Sequence, residues 1–435
     1  MANNTKKKIV ILGAGFGGIK AAFSLCKNLD KLLLNDKYEL ILVDKNSYHT
    51  YTPTLYEAST TSKTLANQID LKSIITFDLK KIFKNKNISL LQETVNNVDL
   101  IEGDIHFDSG KKLKFDYLVL ALGSETNFFG IPGLEENSLT LKTFTDAIKI
   151  RDAVWSKYEE MVNAGKKELE IVIGGGGSTG IELAGEIKSW LCQLEEEFKK
   201  CPASVKIIEG MPNVLPGFDE KVVHKVTKRL RKIGVELLLN ELIEKVDPGK
   251  TVLKSGRIVK FDLLIWSGGV KAISLMGALP LKREAKGRVR VLEEMECLPQ
   301  SEDLKLYGKI YGLGDAICFY NPETNKPIPL VAEAAIDSAK IIAHNIIEDI
   351  KITESLNEKA DYKKFTPKRY TYVISVGGKY AVAKIGPLII SGFAGWVLKG
   401  LVELYYLLFN VLPPFQAIKV WLKGLRIFVQ NDRLG

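Results

Sequence analysis

Two glycine-rich turns of the same design constrain the fold of this chain more than any other feature. Gly13–Gly18 directly follows the apolar run Ile9–Leu12, and Gly175–Gly180 directly follows Ile171–Ile173. Each apolar run predicts a buried strand, and each turn leads into a helix-like stretch. Glycines in such a turn let the backbone approach a pyrophosphate, whose charge then lies at the N-terminus of the helix. The pattern therefore predicts two dinucleotide-binding units.

An acidic residue strengthens each of these fingerprints. The helix-like stretches Ile19–Leu25 and Ile181–Leu191 are each followed by another apolar run, which ends at Asp44 in the first unit and at Glu209 in the second. A carboxylate at this place can hydrogen-bond an adenosine ribose. Because a carboxylate would repel a 2′-phosphate, Glu209 favours NADH over NADPH. The open alternative is that Glu209 is a surface acid that follows a strand.

Composition narrows the class of protein. The chain of 435 residues is too long for one ordinary core, which favours two domains with an appendage. The net charge of +9 comes from scattered lysines, so we expect no nucleic-acid partner, although a basic surface suits an anionic membrane. The five cysteines show no CxxC spacing, which predicts reduced thiols in a cytoplasmic setting and no metal site.

The two units also end alike, which indicates a duplicated fold. Phe115–Gly123 and Phe261–Gly269 each place an aspartate before an apolar strand that stops at small residues. Strands that alternate with helices predict parallel sheets covered on both faces, an α/β fold of two Rossmann-like domains. A later strand leads to Gly314-Asp315 and then to a helix-like segment, Leu330–Ile347.

The C-terminal tail has the composition of a membrane-associating region. The stretch between Lys384 and Lys399 carries no charge and includes Leu388–Ile390, and Pro413-Pro414 separates it from a second apolar segment. Polar and basic residues recur there every three or four positions, namely Gln416, Lys419, Lys423, Arg426 and Gln430. We predict two amphipathic helices that lie in one leaflet. The alternative is a helix pair that docks on the core or forms a dimer. No apolar run is long enough to span a bilayer, so we expect no proton pumping.

Taken together, these residues resemble the two-dinucleotide-binding flavoproteins, and most closely the type II NADH:quinone oxidoreductases. The likeness covers nearly the whole chain and rests on the two glycine turns and on Asp44–Asn46, His49–Tyr56, Asn127–Leu134, Gly180–Glu186, Gly314-Asp315 and Leu404–Leu407. The resemblance implies FAD in the first unit, NADH in the second and a quinone as electron acceptor. It also implies a peripheral protein on the cytoplasmic side of the cell membrane, with a homodimer as a further possibility.

The resemblance implies domains and binding residues as well. It divides the chain into an FAD-binding domain in two parts, 1–145 and 281–350, an inserted NADH-binding domain, 146–280, and a C-terminal membrane-association or dimerisation region, 351–435. The implied FAD-binding residues are Gly13, Gly15, Phe16, Gly17, Gly18, Asp44, Lys45, Asn46, Val95, Ala121, Gly123, Gly314, Asp315 and Ala332. Asp315 could alternatively be a simple turn residue. The implied NADH-binding residues are Gly175, Gly177, Gly180 and Glu209.

Three acids are the candidate catalytic residues. Glu182 would assist substrate or proton handling, or would be a helix N-terminal acid favoured by the dipole. The family commonly has two glutamines where this chain has Glu333 and Asp337. Amides donate and accept hydrogen bonds, whereas ionised acids only accept. Either these two acids have raised pKa values and pass protons to the quinone, or the acceptor differs, or they simply face solvent.

Three rival functions share the fold. A sulfide:quinone oxidoreductase needs two cysteines beside the flavin, and Cys318 has no evident partner, while Cys192 is predicted to lie in the core. A soluble thiol–disulfide reductase or NADH oxidase needs a redox cysteine in the first domain, and residues 46–59 contain none. A flavin-stabilised binding or signalling protein with little turnover is the third possibility.

Overall fold

A computed structural model describes residues 6–62, 70–193 and 201–430 of the chain. It contains two compact units, each built from separate parts of the sequence. The first comprises the described parts of Met1–His49, Phe77–Glu125 and Lys271–Tyr370. The second comprises the described parts of Thr50–Thr76, Thr126–Val270 and Thr371–Gly435. The domain boundaries drawn from the sequence stay predictions.

The first unit is built on a five-stranded parallel sheet. Its strands, in spatial order, are Lys309–Gly312, Tyr117–Leu120, Lys7–Leu12, Tyr38–Asp44 and Ser89–Gln92. The central strand is apolar throughout its second half, and Ile9–Leu12 are fully buried. A continuous apolar run suits a parallel strand because both faces of the sheet are covered. Its long helices are Phe16–Lys31 and Ala332–Thr353.

The second unit repeats this arrangement. Its parallel sheet has the strands Leu139–Thr140, Leu263–Trp266, Leu169–Gly174, Ala203–Glu209 and Val235–Leu239 in spatial order. The helices of the sheet are Phe144–Asn163, Ser178–Gln193 and Glu220–Lys232. Thr143 begins the first of these helices with a capping box that it shares with Asp146, which satisfies backbone amides at the helix start.

The order of the strands along the chain confirms the predicted α/β class with duplicated Rossmann-like domains. In each unit the central strand runs into a glycine turn and a helix, and the next strand ends in an acid. The strands 139–266 of the second sheet fall in sequence between Tyr117–Leu120 and Lys309–Gly312 of the first sheet. The second domain is therefore inserted in the first.

Smaller elements complete both units. The first unit contains the antiparallel strands Val95–Asp99, Asp104–Phe107 and Lys112–Lys114, the paired strands Val289–Arg290 and Ile317–Cys318, and the short helices Leu79–Ile82, Ser274–Ala278 and Gly314–Ala316. The second unit contains the antiparallel strands Ile243–Asp247, Lys250–Leu253 and Ile258–Lys260, and the short helices Thr52–Thr54, Leu55–Ala58 and Lys72–Ile75. Four boundaries between the two units along the sequence fall within short strands, and these strands are Tyr48–Thr50, Thr76–Asp78, Ser124–Thr126 and Val270–Ala272.

The C-terminal region of the second unit is partly sheet and partly helix. Tyr372–Ser375, Ala381–Ile385 and Leu388–Gly392 form an antiparallel sheet, followed by helix Phe393–Tyr406, a π-helical turn at Leu407–Val411 and helix Pro414–Gln430. The assignment of residues 388–390 to an apolar helix is therefore wrong, because these residues pair with a neighbouring strand. Among the described residues, no helix has the length and apolarity needed to cross a bilayer.

The cysteines differ from the expectation in one respect. Cys192 and Cys201 form a disulfide with their Cα atoms 4.4 Å apart, so the prediction that every thiol is reduced is wrong. Both residues are half-buried, which also corrects the placement of Cys192 in the core. Cys26, Cys297 and Cys318 are free and buried.

Candidate active site

The glycines of the first turn have two different roles: the fold has no room for a side chain at some positions, whereas another position is open. Gly13 has a φ of 109°, and a side chain there would overlap the carbonyl of Ala121. A side chain at Gly18 would overlap the carbonyl oxygen of Gly13. Gly15 is exposed, and nothing lies within 4 Å of the position that a Cβ would take. The first and last glycines therefore close the turn, whereas the middle glycine keeps a space open for a ligand.

The second glycine turn has the same division. Gly175 has a φ of 105°, and a side chain there would come within 2.6 Å of the Cα atom of Gly268. A side chain at Gly180 would overlap the carbonyl of Gly175, whereas Gly177 has open space around it. Both turns thus place an open backbone at the N-terminus of a long helix, which is the geometry that binds a pyrophosphate.

The acid at the end of each second strand lies beside its glycine turn. Asp44 accepts hydrogen bonds from the amides of Ala14 at 2.7 Å and Asn46 at 2.8 Å. Glu209 accepts the equivalent hydrogen bonds from the amides of Gly176 at 2.7 Å and Met211 at 2.8 Å. A carboxylate has about four acceptor positions. Each acid is therefore oriented by the backbone and retains capacity to accept the hydroxyls of a ribose.

A buried histidine supports the first turn. His49 Nδ1 lies 2.9 Å from the carbonyl oxygen of Ala14, and its ring meets Phe16 edge-on with centroids 5.2 Å apart. Burial lowers the pKa of His49 to about 4, although the backbone hydrogen bond opposes this. The ring is therefore neutral at neutral pH, and Nδ1 must carry the hydrogen because a carbonyl oxygen can only accept.

Asp315 lies where the last strand of the first sheet ends. Gly314 adopts a φ of 67° and starts the short helical turn that carries Asp315. The Ser124 hydroxyl donates to the Asp315 carboxylate at 2.9 Å. Since the carboxyl ends of parallel strands meet at one edge of a sheet, this edge also receives the first glycine turn.

The N-termini of the two long helices of the first unit come together at the same edge. A side chain at Gly17 would lie 2.9 Å from the carbonyl oxygen of Ala335 and would overlap Leu313. Helix Ala332–Thr353 therefore begins against the helix that follows the first glycine turn. Two helix N-termini carry partial positive charge toward this edge.

The remaining candidate FAD-binding residues lie at ends of strands in the first unit. Lys45 is exposed after the second strand, and Val95 is half-buried at the start of an antiparallel strand. Ala121 is buried, and its amide donates to the carbonyl of Leu12 at 2.9 Å. Gly123 follows with a φ of 74°.

These features fit a flavin dinucleotide in the first unit. The space beside Gly15 suits a pyrophosphate, Asp44 is oriented for a ribose, and the two helix N-termini favour an anion. Ser124 and Asp315 add a hydroxyl and a carboxylate beside them. The second unit has the equivalent site, formed by the open backbone at Gly177 and the oriented carboxylate of Glu209. We call this combination of an open glycine and an oriented acid a nucleotide cradle.

The pKa values of Glu333 and Asp337 are shifted in opposite directions. Glu333 is exposed at the start of its helix, yet partial desolvation, reinforced by Asp337, raises the pKa of its carboxyl above the ordinary value. Burial acts in the same direction on Asp337, but hydrogen bonds from Lys340 at 2.9 Å and Lys368 at 3.1 Å outweigh it and lower the pKa of Asp337. The hypothesis that both acids have raised pKa values therefore holds for Glu333 and is wrong for Asp337.

In the second unit, the backbone amide of Ser375 joins Glu182 to a group of polar side chains. Burial and the nearby Glu186 raise the pKa of Glu182 to about 8, although the Ser375 amide, which donates to it at 3.3 Å, acts against the shift. The Tyr56 hydroxyl lies 2.9 Å from the Ser375 hydroxyl and also 2.9 Å from a carboxylate oxygen of Glu57. Glu57 in turn forms an ion pair with Lys399 of the C-terminal helices, which adds a positive charge to this group of polar side chains.

That lysine, Lys399, lies in a cluster of charges beside a cavity. It forms an ion pair with Glu57, and its ammonium lies 4.2 Å from the centre of the Tyr56 ring. Burial raises the pKa of Glu403 to about 7, while Lys399 acts to lower it. The cavity, of about 230 Å³, is otherwise mostly apolar, and its lining includes Glu57, Lys399, Glu403, Trp396 and Trp421.

A family model for pyridine nucleotide-disulphide oxidoreductases matches residues 7–339, which is more than half of the chain and includes both glycine turns. The chain belongs to the pyridine nucleotide-disulphide oxidoreductase family. This membership confirms the oxidoreductase class and the two dinucleotide-binding folds expected from the sequence.

Two relatives are similar to this chain over more than three quarters of its length. A probable NADH dehydrogenase of Dictyostelium discoideum is 28% identical over 407 residues, which cover 90% of this chain and 83% of that protein. A type II NADH:quinone oxidoreductase of Staphylococcus aureus is 26% identical over 355 residues, which cover 78% of this chain and 82% of the relative. The predicted resemblance to type II NADH:quinone oxidoreductases is confirmed.

Solved structures share the fold of this oxidoreductase. NDH2 of Plasmodium falciparum, solved in complex with NADH, matches with a TM-score of 0.79 at 19% identity and covers 98% of both chains. The sulfide:quinone oxidoreductase of Aquifex aeolicus matches with a TM-score of 0.71 at 19% identity and covers 95% of this chain and 92% of that one.

Sequence reasoning assigned no role to several residues at the site, although His49 and Tyr56 bound a stretch that carries the family resemblance. Ser124 and His49 contact predicted binding residues, and Tyr56, Glu57 and Lys399 belong to the group of polar side chains that the Ser375 amide joins to Glu182. Lys399 and Glu403 lie four residues apart on an apolar helix, and this spacing could have indicated a buried charged site. Charged residues on such a helix seldom lie in apolar surroundings without a partner.

Proposed function

We propose that this oxidoreductase binds FAD in its first unit, accepts a hydride from NADH held in its second unit and passes two electrons to a membrane quinone without pumping protons. The observation that carries the proposal is the repeated cradle, in which an open glycine and an oriented acid occur at both Gly15 with Asp44 and Gly177 with Glu209. The names of the relatives support the choice of NADH as donor and quinone as acceptor.

FAD, when bound, would accept the hydride from NADH and pass on its two electrons. The protein's residues bind and orient. We propose that Asp44 and Glu209 select the riboses, that the open glycines admit the pyrophosphates, and that Asp315 with Ser124 holds the polar middle of FAD. The full set of binding residues and the domain boundaries given under Sequence analysis belong to this proposal.

Proton supply is the second task, because reduction of a quinone to a quinol consumes two protons with its two electrons. Glu182 is protonated in most molecules at neutral pH, since its pKa is about 8. We propose that it holds a proton for this reaction, held in place by the Ser375 amide. The hydroxyls of Ser375 and Tyr56 and the carboxylate of Glu57 form a polar group that extends from this point to Lys399. Glu333 is the second proposed proton carrier, whereas Asp337 is a positioning residue that remains ionised beside two lysines.

The apolar cavity beside Lys399 is the proposed place for the quinone tail. Its lining is mostly apolar, with Thr54 and the charged residues Glu57, Lys399 and Glu403 as exceptions. Cavities that are mostly apolar with a few polar groups suit such ligands. Lys399→Met should weaken quinone binding and raise its Michaelis constant, while the rate of flavin reduction by NADH stays the same. A Michaelis constant that does not change would contradict this placement.

Association with a lipid surface is also proposed for the C-terminal helices. Phe409 is 64% exposed and Phe415 is 81% exposed, and other large apolar residues on the same helices are exposed as well, including Phe393, Leu401, Tyr405, Ile418 and Leu422. Burying such side chains in a bilayer removes apolar area from water, and nearby lysines can meet lipid phosphates. The same surface could serve a homodimer, and we place this protein on the cytoplasmic face of the cell membrane as part of the proposal.

Vesicle flotation tests the membrane surface. The double variant Phe409→Ser and Phe415→Ser should lose binding to vesicles that contain anionic lipids. Leu33→Ser is the matched control, because Leu33 is 86% exposed but belongs to the first unit. Equal binding by both variants would contradict lipid association through these helices, and a shift from dimer to monomer in solution would indicate a homodimer instead.

Rapid mixing of purified protein with NADH tests the main proposal. The flavin absorbance should bleach quickly, and turnover should follow with a ubiquinone or menaquinone analogue. Glu209→Arg should slow bleaching by NADH and favour NADPH, whereas Glu220→Gln, an exposed acid outside the cradle, should leave it unchanged. Turnover with sulfide but not with NADH would overturn the donor, and a protein that binds no flavin would overturn the proposal as a whole.

A further inference from the structure

We infer that the disulfide between Cys192 and Cys201 is a reversible modification site, opened and closed by small thiols such as glutathione. The two Cα atoms lie 4.4 Å apart, which is within the range that a disulfide spans. Neither residue belongs to the nucleotide cradle or to the group of polar side chains joined to Glu182. The inference therefore goes beyond the proposed function and does not depend on it.

The position of the pair in the second unit explains what it joins. Cys192 lies in the last turn of helix Ser178–Gln193, and Cys201 precedes strand Ala203–Glu209 by two residues. The bond thus closes the crossover between the helix that starts at the second glycine turn and the strand that ends at the ribose-binding acid. It lies at the end of the helix opposite to the turn, so its chemistry need not disturb the cradle.

Noncovalent contacts hold both ends of this crossover independently of the bond. The amide of Leu169 donates to the carbonyl of Pro202 at 2.8 Å, and strand Ala203–Glu209 pairs with strands on both sides. On the helix, Trp190 and Leu191 are buried in the core of the unit. Reduction should therefore release the bond without unfolding the domain, and the two sulfur atoms should remain close enough to rejoin.

Accessibility distinguishes this pair from the other cysteines. Cys192 and Cys201 are half-buried, so part of each residue is open to a small thiol. Cys26, Cys297 and Cys318 are at most 4% exposed, and burial raises the pKa of each thiol, which keeps it in the less reactive protonated form. Redox chemistry should thus be confined to one pair.

The exchange balances with glutathione alone. A glutathione thiolate attacks one sulfur atom of the disulfide and forms a mixed disulfide, and the other protein sulfur leaves as a thiolate and takes up a proton. A second glutathione then attacks the mixed disulfide and releases glutathione disulfide together with the second protein thiol. The protein gains two electrons and two protons, and two glutathione molecules lose them. The reverse sequence closes the bond.

Thiol counting on the full-length protein tests the inference. Samples equilibrated with excess glutathione or with excess glutathione disulfide are quenched with acid, unfolded, alkylated and mapped by mass spectrometry. We expect both cysteines to be alkylated in the first case and protected in the second, with the change reversed when the buffers are exchanged. Protection that persists in excess glutathione would identify a permanent structural bond, and alkylation in both buffers would show that no bond forms. Either result overturns the inference.

The melting temperature provides a second readout. Closing this loop should raise the melting temperature of the oxidised protein by about 3 °C, because the bond restricts the unfolded chain. Cys201→Ser should abolish the difference between oxidised and reduced samples. Cys26→Ser is the matched control, since it removes a thiol of the first unit, and it should keep the difference. Loss of the difference in the control as well would contradict assignment of the effect to this pair.

Discussion

Replacing Glu182 with glutamine should change how the stability of this oxidoreductase depends on pH. The pKa of Glu182 is raised from 4.5 to about 8 because burial and Glu186 disfavour its charge more than the Ser375 amide favours it. An unfolded chain ionises this group at the lower value, so the folded protein binds the extra proton between the two pKa values. Folding stability therefore falls as pH rises through this window and levels off above it.

The size of the effect follows from the shift. A raised pKa of about 8 against 4.5 corresponds to about 5 kcal/mol of stability lost above pH 8, as an upper limit. A chain of 435 residues unfolds with an entropy of about 0.9 kcal/mol per kelvin, so this loss amounts to about 5 °C in melting temperature. Glutamine cannot ionise, and its carbonyl can still accept the hydrogen bond from Ser375.

Melting curves between about pH 5 and pH 9 provide the assay. Glu182→Gln and the wild type should melt at similar temperatures at the acid end, and the variant should become the more stable of the two as pH rises. Glu403, whose pKa is raised to about 7, loses stability in the same direction but is present in both proteins, so its effect cancels. Glu220→Gln is the control and should follow the wild type. A difference that does not vary with pH would refute the reasoning.

Four further changes should have distinct outcomes. Gly180→Ala should lower the melting temperature because its methyl group would overlap the carbonyl of Gly175, whereas Gly177→Ala should keep the fold and raise the Michaelis constant for NADH; melting curves and steady-state kinetics distinguish the two. Lys399→Met should lower the free energy of unfolding by about 3 kcal/mol, as measured by chemical denaturation, because it removes one partner of a buried ion pair with Glu57. Gly185→Ala should lower the melting temperature, since its methyl group would lie 2.6 Å from the amide nitrogen of Gly377.

The strand, glycine turn and helix of each dinucleotide-binding fold could be predicted from the sequence alone. A strand, a glycine turn and a helix follow one another within a few residues, and each is encoded by local properties, namely apolar runs and backbone angles that only glycine adopts freely. The acids Asp44 and Glu209 could be predicted because they end strands that the same pattern defines. Sequence reasoning failed at residues 388–390, since an uncharged apolar run suits either a strand or a helix.

The pKa values of the acids at the site depend on contacts that no local sequence pattern predicts. Asp337 and Glu333 look alike in sequence, yet Lys368, 31 positions away, keeps Asp337 ionised while Glu333 has no equivalent ion pair among the described contacts. The amide that contacts Glu182 lies 193 residues along the chain, and the lysine that pairs with Glu57 lies 342 residues along it. A local pattern determines backbone conformation, whereas a pKa depends on burial and on charges that folding brings together from distant parts of the chain.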